Sequence, residues 1–176
     1  MRKLKLKELN RKTVQEYKAV DKLPYVVVLD NIRSAMNVGS VFRSSDAFLV
    51  EKICLTGITA QPPHREILKT AIGATDSVAW EYFASIEECV LGLKNSGYKI
   101  YGIEQTTNSI QLSAIDKIEQ GPLALIFGNE VNGLTDAILP ELDGAIEIPQ
   151  FGTKHSLNIS VCAGICLWSF YQKLSQ

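Results

Sequence analysis

Tyr25-Val26-Val27-Val28-Leu29 is an unbroken apolar run rich in β-branched side chains. A strand with one wet face alternates in polarity, whereas an unbroken run reads as a strand buried on both faces. Such a strand needs cover above and below. Similar short runs recur at residues 52–56, 77–81, 99–103, 123–127 and 145–148. Helical patterns fill the intervals at 38–48, 64–72, 86–95 (closed by Gly97), 135–139 and 156–173. Strand and helix alternating along the whole length predict an α/β fold with a mostly parallel sheet flanked by helices. At 176 residues and 46% hydrophobic content, one domain can bury a substantial core.

Several function classes lose support. No run approaches the ~18 apolar residues of a membrane span, and the charged start Met1-Arg2-Lys3-Leu4-Lys5 lacks the apolar stretch of a signal peptide. Cys54, Cys89, Cys162 and Cys166 show no CxxC spacing, so a reduced, cytoplasmic protein without a metal is expected. No two glycines stand two apart, which excludes a GxGxxG fingerprint, and neither a P-loop nor a GxSxG elbow is present.

Charge is unevenly distributed. Residues 1–24 carry eight Lys/Arg and three Asp/Glu, a balance of +5, while the whole chain sums to −1. Residues 1–23 are therefore read as a basic arm, either an electrostatic handle for RNA or a solvated amphipathic helix. Leu4, Leu6, Leu9, Val14 and Tyr17 give it a partly apolar face. Residues 24–176 are read as the single folded domain. The final helix is apolar nearly all round, with Ala163 and Gly164 small enough for close helix approach, which suggests burial in a homodimer.

Three segments carry the candidate chemistry. The first, Asp30 to Arg43, follows the buried strand and so lies at the carboxyl edge of the sheet, where open α/β proteins bind ligands. Asn37 is a natural N-cap there. Arg43, one turn after Gly39, is placed to lean over that glycine towards the anion-attracting helix start; an Arg43–Asp46 surface pair is the bland alternative. The second segment is Gly128-Asn129-Glu130-Val131-Asn132-Gly133-Leu134, a loop after a strand with Glu130 as its one carboxylate. Capping of a helix near Thr135, or pairing with an arginine, would also explain Glu130. The third runs from Ile148-Pro149-Gln150 to Ser156-Leu157-Asn158-Ile159-Ser160, where Ser156 and Asn158 are plausible caps.

Together the three segments resemble the SpoU/TrmH family of RNA ribose 2′-O-methyltransferases, of the SPOUT class. Asn37, Gly39 and Arg43 fit its N-x-G-x-x-x-R arrangement. Gly128, Asn129, Glu130, Gly133 and Leu134 fit its G-N-E-x-x-G-L loop, and Ile148, Pro149, Ser156, Leu157, Asn158, Ile159 and Ser160 its third motif. The resemblance covers residues 24–173, in order and register. Gln150 stands where a methionine is frequent, and Leu49 where many relatives have glycine.

The resemblance implies a C-terminal trefoil knot, a homodimer, S-adenosyl-L-methionine as cofactor and tRNA or rRNA as substrate. It implies cofactor contacts from Gln105, Gly128, Asn129, Gly133, Ile148, Gln150 and Leu157. A catalytic group of Arg43, Asn37, Glu130, Ser156 and Asn158 is also implied, with RNA held by Arg33, Arg43, Arg65 and Lys154. A catalytically silent RNA-binding protein on the same fold is the alternative.

Transfer of a methyl group from a sulfonium has a neutral leaving group, so positioning and hydroxyl activation are the main tasks. A pocket of backbone groups and neutral side chains suits a charge that fades in the transition state. A guanidinium is a poor base, which favours Arg43 as a clamp on RNA phosphate and stabiliser of the developing alkoxide.

Overall fold

In the computed structural model, which describes residues 1–175 apart from the side chain of Leu6, seven strands form one sheet. They are β1 (Leu23–Asp30), β2 (Val50–Thr56), β3 (Ala79–Phe83), β4 (Lys99–Ile103), β5 (Ile110–Gln111), β6 (Leu123–Phe127) and β7 (Gly144–Glu147). Their order is β3-β2-β1-β6-β4-β7-β5, and every neighbouring pair is parallel. Six helices flank the sheet: α1 (Val14–Ala19), α2 (Ala35–Ala47), α3 (Arg65–Ala71), α4 (Ala74–Ser77), α5 (Ile86–Asn95) and α6 (Ile159–Leu174).

The expected α/β architecture follows from how β1 is covered. Tyr25, Val27 and Leu29 enter one core with Phe42 of α2 and Phe170 of α6. Val26 and Val28 enter a second core with Ile86, Cys89, Val90 and Leu93 of α5. All five side chains are fully buried, so the run has no polar alternation because it has no wet face.

Local chemistry moves several boundaries from their expected places. Ser34, not Asn37, caps α2: its hydroxyl accepts the Asn37 N–H at 3.3 Å, and Asn37 falls in the first turn. The strand expected at 77–81 lies at 79–83, because Ser77 closes α4 and donates to Ala74 O and the Asp46 carboxylate. The helix expected at 135–139 is a 3-10 turn over Asp136–Glu141 containing Pro140, which has no N–H for regular helical bonding. The last helix starts at Ile159 with Asn158 as its cap, leaving Ser156 in the preceding loop. The two-residue edge strand β5 has no counterpart among the sequence expectations.

Two glycine expectations change. A Cβ on Gly39 would collide with Ile67 O and the Thr70 hydroxyl. Glycine there permits the close approach of α2 and α3; it does not clear space for Arg43. Ala163 is fully buried in the chain's own core, and a Cβ on Gly164 would meet only Ser44 of α2, at 4.0 Å. Ala163 is thus spent within the chain, while Gly164 stays half-buried with room for a side chain.

The basic N-terminal segment docks through Tyr17, which is 5% exposed. The Lys22 ammonium donates to Tyr17 O and Val20 O and lies 4.3 Å from the Tyr17 ring centroid, capping α1 and covering the ring together. Leu4 remains 59% exposed, and Leu6's side chain lies outside the described residues. No helix among the described residues is long and apolar enough to cross a membrane.

Candidate active site

Strands β1, β6, β4 and β7 deliver their following loops to one edge of the sheet. Buried Asp30 organises that edge: its carboxylate accepts from Thr56 Oγ1 at 3.0 Å, Asn31 Nδ2 at 2.7 Å and Thr135 Oγ1 at 2.8 Å. Asn129 Nδ2 in turn donates to Asn31 O at 2.6 Å, tying the loop after β6 to the end of β1.

The loop after β6 is closed on itself. Asn129 and Gly133 exchange backbone hydrogen bonds, each 2.9 Å, and Asn129 Oδ1 accepts the N–H groups of Val131 and Asn132. A Cβ on Gly128 would collide with the Gly133 carbonyl and Leu134 N, and Gly133 has φ of +69° beside the Glu104 carboxylate. Both positions therefore require glycine, one for close backbone approach and one for left-handed backbone. Glu104 pins the loop by accepting Leu134 N–H at 3.2 Å. Its other oxygen accepts Gln105 N–H at 2.9 Å, and Gln105 Nε2 reaches His155 O at 3.0 Å.

A second set of bonds joins all three sequence motifs. The Glu130 carboxylate accepts the N–H groups of Arg33 at 3.0 Å and Ser34 at 3.2 Å, and Asn37 Nδ2 at 3.2 Å. Asn158 Nδ2 donates to Asn37 Oδ1 at 3.3 Å, while its own Oδ1 accepts from Ser160. Glu130 therefore caps the entry to α2, not a helix near Thr135, and it pairs with a backbone group of Arg33 instead of an arginine side chain. Partial burial pushes the Glu130 carboxyl up, but the donors from Arg33, its own backbone, Asn37 and Ser34 outweigh this and hold it below the usual glutamate range.

These loops surround a cavity of about 540 Å³, within the range of roughly 300–1,000 Å³ common for small-ligand sites. Gln105, Gly128, Asn129, Gly133, Ile148, Gln150 and Leu157 all line it, as do Glu130, Ser156 and Asn158. The wall also includes Glu104, in a loop that the family resemblance places at the ligand, and Ile103, Phe127, Glu147 and Cys162, which motif matching passed over. Glu104 directly follows β4 at the ligand-binding edge. With Glu130 and Glu147 it makes the wall more acidic than the neutral pocket expected.

The glycine cradle and backbone-rich wall fit a nucleoside-containing cofactor held by main-chain groups. Among the described residues no group of three or more His, Cys, Asp or Glu side chains could hold a metal.

Arg43 is absent from this wall. It is exposed on the outer side of α2 and lines a separate cavity with the N-terminal segment. It forms none of the four ion pairs among the described residues, and Asp46, its expected partner, accepts from Ser77 instead. Arg33, Arg65 and Lys154 are exposed as well. Asn37, Glu130 and Asn158 thus assemble into one network, and Arg43 stands apart from it within this chain.

Residues 24–168 match the SpoU rRNA Methylase family. A 23S rRNA (guanosine-2′-O-)-methyltransferase RlmB from Vibrio parahaemolyticus is 29% identical over 163 residues, 92% of this chain and 64% of that protein. The RlmB of Nitrosomonas europaea is 30% identical, over 86% of this chain and 57% of its own length. Among solved structures, an AdoMet-bound rRNA methyltransferase from Sinorhizobium meliloti superposes with a TM-score of 0.80 at 25% identity, covering 90% of this chain and 60% of that one. The A. aeolicus TrmH/SpoU tRNA modifying enzyme shares the fold with a TM-score of 0.78, over 91% and 81% of the two chains. The chain spans less than two thirds of the length of the first curated relatives, 63% to 65%. With two of the three motifs lining one cavity, the first joined to them through Asn37, and the family matched through nearly the whole sheet, the chain belongs to the SpoU rRNA methylase family.

Proposed function

We propose that this protein transfers a methyl group from S-adenosyl-L-methionine to a ribose 2′-hydroxyl of tRNA or rRNA. The observation that carries the reading is the hydrogen-bonded series Glu130–Asn37–Asn158, which ties three family motifs together beside a cavity lined by backbone and glycine. The cofactor, when bound, supplies an electrophilic methyl group with a neutral leaving group. Gly128, Ile148 and Leu157 are assigned to the adenosine part through main-chain groups, with Gln105, Asn129, Gly133 and Gln150 completing the enclosure. Ser156 and Asn158 orient the ribose. Glu130 and Asn37 act at one remove, by holding the α2 entry and Asn158 in place.

Arg43 is assigned to the RNA phosphate and to the oxygen that gains negative charge, where a guanidinium is worth most. Because it lies outside its own chain's ligand cavity, this role requires a homodimer in which Arg43 serves the partner's site. The loop carrying Ile148 to Asn158 is proposed to be the threaded part of a trefoil knot. Residues 1–23 serve as a basic arm and 24–176 as the methyltransferase domain of a cytoplasmic, metal-independent enzyme. Arg33, Arg65 and Lys154 contact the RNA backbone.

Calorimetric titration with S-adenosyl-L-methionine, together with mass-spectrometric mapping of ribose methylation in RNA from a deletion strain, tests the proposal. Binding plus a missing 2′-O-methyl group supports it. RNA binding without cofactor binding would replace it with the catalytically silent alternative.

A further inference from the structure

Phe151 is 96% exposed, and apart from Met1 no large apolar side chain among the described residues is more open to solvent. Each of the other five phenylalanines is part of a hydrophobic core or packed against one. A single exposed leucine is ordinary on a protein surface, but a solvated phenyl ring forfeits the burial of a large apolar area. Nothing among the described residues covers this one.

Its place on the loop from β7 to α6 suggests a use for the ring. Gln150 and His155 both line the cavity bounded by the motif loops, whereas residues 151–154 are exposed and lie outside its wall. The segment therefore stands at the rim, between two stretches that touch the ligand space. Both of its ends are held: β7 pairs with β4 and β5, and Gln105 Nε2 donates to His155 O at 3.0 Å. A Cβ on Gly152 would meet nothing within 4 Å, so the space beside the ring is open as well. From Pro149 to Asn158 the loop has no Asp or Glu, and Lys154 forms none of the ion pairs among the described residues. A flat apolar face near an unpaired cation has the chemistry that receives a nucleic-acid base and its phosphate.

We propose that Phe151 is a stacking platform for a base of the RNA whose ribose enters the cavity. The inference rests on the RNA methylation reading and adds to it a contact to a base, since Arg33, Arg43, Arg65 and Lys154 are assigned to the sugar–phosphate backbone. A phenyl ring has no hydrogen-bonding group, so it meets the π-face of a base and not its edge. Binding through it is therefore tolerant of sequence and stronger for purines, whose larger rings overlap more. A second copy of this chain is the competing occupant; the neighbouring cation and the acid-free loop favour a polyanion.

The test measures fluorescence anisotropy of three labelled probes of about eight nucleotides with the full chain: oligoadenylate, oligouridylate and an abasic ribose-phosphate chain of the same charge. The parent should bind oligoadenylate best and the abasic chain about tenfold more weakly. Phe151→Ala should lose roughly tenfold for oligoadenylate and approach the abasic affinity, with melting temperature and S-adenosyl-L-methionine binding unchanged. Phe151→Trp, with its larger flat face, should bind oligoadenylate at least as tightly as the parent, and it supplies the reading if the alanine variant is unstable. Lys154→Gln should weaken all three probes by a similar factor. Parental affinity in Phe151→Ala, or parent binding that is absent or ignores the bases, overturns the proposal. So does a fall in particle mass by sedimentation in Phe151→Ala, which would give the ring to a contact between copies. Calorimetry with S-adenosyl-L-methionine separates this inference from the reading beneath it. Cofactor binding with base-independent RNA binding sinks the platform alone; Phe151-dependent base binding without cofactor binding sinks methyl transfer and leaves a catalytically silent, base-stacking RNA-binding protein.

Discussion

The side-chain amide of Asn158 donates to the side-chain oxygen of Asn37 at 3.3 Å, joining residues 121 positions apart. Asn37 passes the connection to Glu130 at 3.2 Å. The start of α2, the loop after β6 and the start of α6 therefore share one polar network whose only charge is the Glu130 carboxylate. Loss of Asn37, the middle member, breaks both links at once.

Replacing Glu130 with glutamine removes the charge while nearly conserving shape. Hydrogen bonds to charged groups contribute roughly 1.5–3 kcal/mol, but Glu130 is exposed, so screening brings the expected loss nearer ~1 kcal/mol. The carboxyl is held below its usual range in the folded protein. Its contribution is thus fully present above the unfolded glutamate pKa and disappears as pH falls through the lower folded value. Urea titrations from neutral to acid pH should show a smaller acid-induced loss in Glu130→Gln than in the parent. Parallel acid limbs would remove Glu130 from the stabilising network.

Gly39→Ala tests the packing role of the glycine in the N-x-G-x-x-x-R motif. The new methyl would meet the Ile67 carbonyl and the Thr70 hydroxyl. Overpacking of this kind costs roughly 1–3 kcal/mol. The midpoint of urea unfolding should fall accordingly, while Arg43 keeps its exposure. An unchanged midpoint would mean that α2 and α3 separate freely.

Sheet class and the central strands were legible because the buried runs, such as Tyr25 to Leu29, have no wet face to alternate, whereas the edge strands β3 and β5 lack such runs. Of the seven cavity-lining positions expected to meet cofactor, Gly128, Asn129, Gly133, Ile148 and Leu157 were legible through motif register, whereas Gln105 lies outside the three motifs and Gln150 departs from the third. Other parts were not. The cap on α2 went to Ser34 because capping depends on backbone entry, and both Ser34 and Asn37 have suitable side chains. Glu130 reaches across 97 positions to Arg33 N–H, a contact that local spacing does not encode. Arg43 was expected over Gly39, yet Gly39 faces α3 and Arg43 faces solvent. Helical spacing places residues on a face but does not say what packs against that face.

Cofactor binding should follow the loops and not the arginine. A side chain at Gly128 collides with backbone at Gly133 and Leu134, so Gly128→Val should abolish S-adenosyl-L-methionine binding by calorimetry. Arg43→Ala, outside the cavity, should bind it within about twofold of the parent. Equal loss in both variants would contradict the division of labour.

The basic segment cannot be tested by deletion, since removing Tyr17 opens the core. Lys3, Lys5 and Lys7 are exposed and can be changed to glutamine together. Each lost phosphate contact should flatten the slope of log affinity against log salt by about 0.7–0.9. An unchanged slope in filter-binding assays across salt concentrations would confine the segment's role to packing through Tyr17.

The last prediction concerns the dimer. Val161, Ile165 and Trp168 are 52%, 39% and 47% exposed along α6, and Leu157 at its approach is 36% exposed. Ala163 of the expected small-residue contact is already buried within the chain, so a symmetric interface would rest on this larger apolar stripe instead. Trp168 lies 5.6 Å from Phe48 by ring centroids, which fixes it against the end of the helix that carries Arg43. A partner docked on the stripe would therefore approach Arg43 while its own Leu157 loop borders the same interface. Mixing Arg43→Ala subunits with Gly128→Val subunits should restore about half of parental methyl transfer per dimer, although each variant alone is inactive. One subunit of the mixed dimer keeps an intact cavity and the other keeps the arginine that serves it. If subunit exchange is demonstrated by mass and no activity returns, Arg43 and the cofactor act within one chain, and α2 must then move to bring them together.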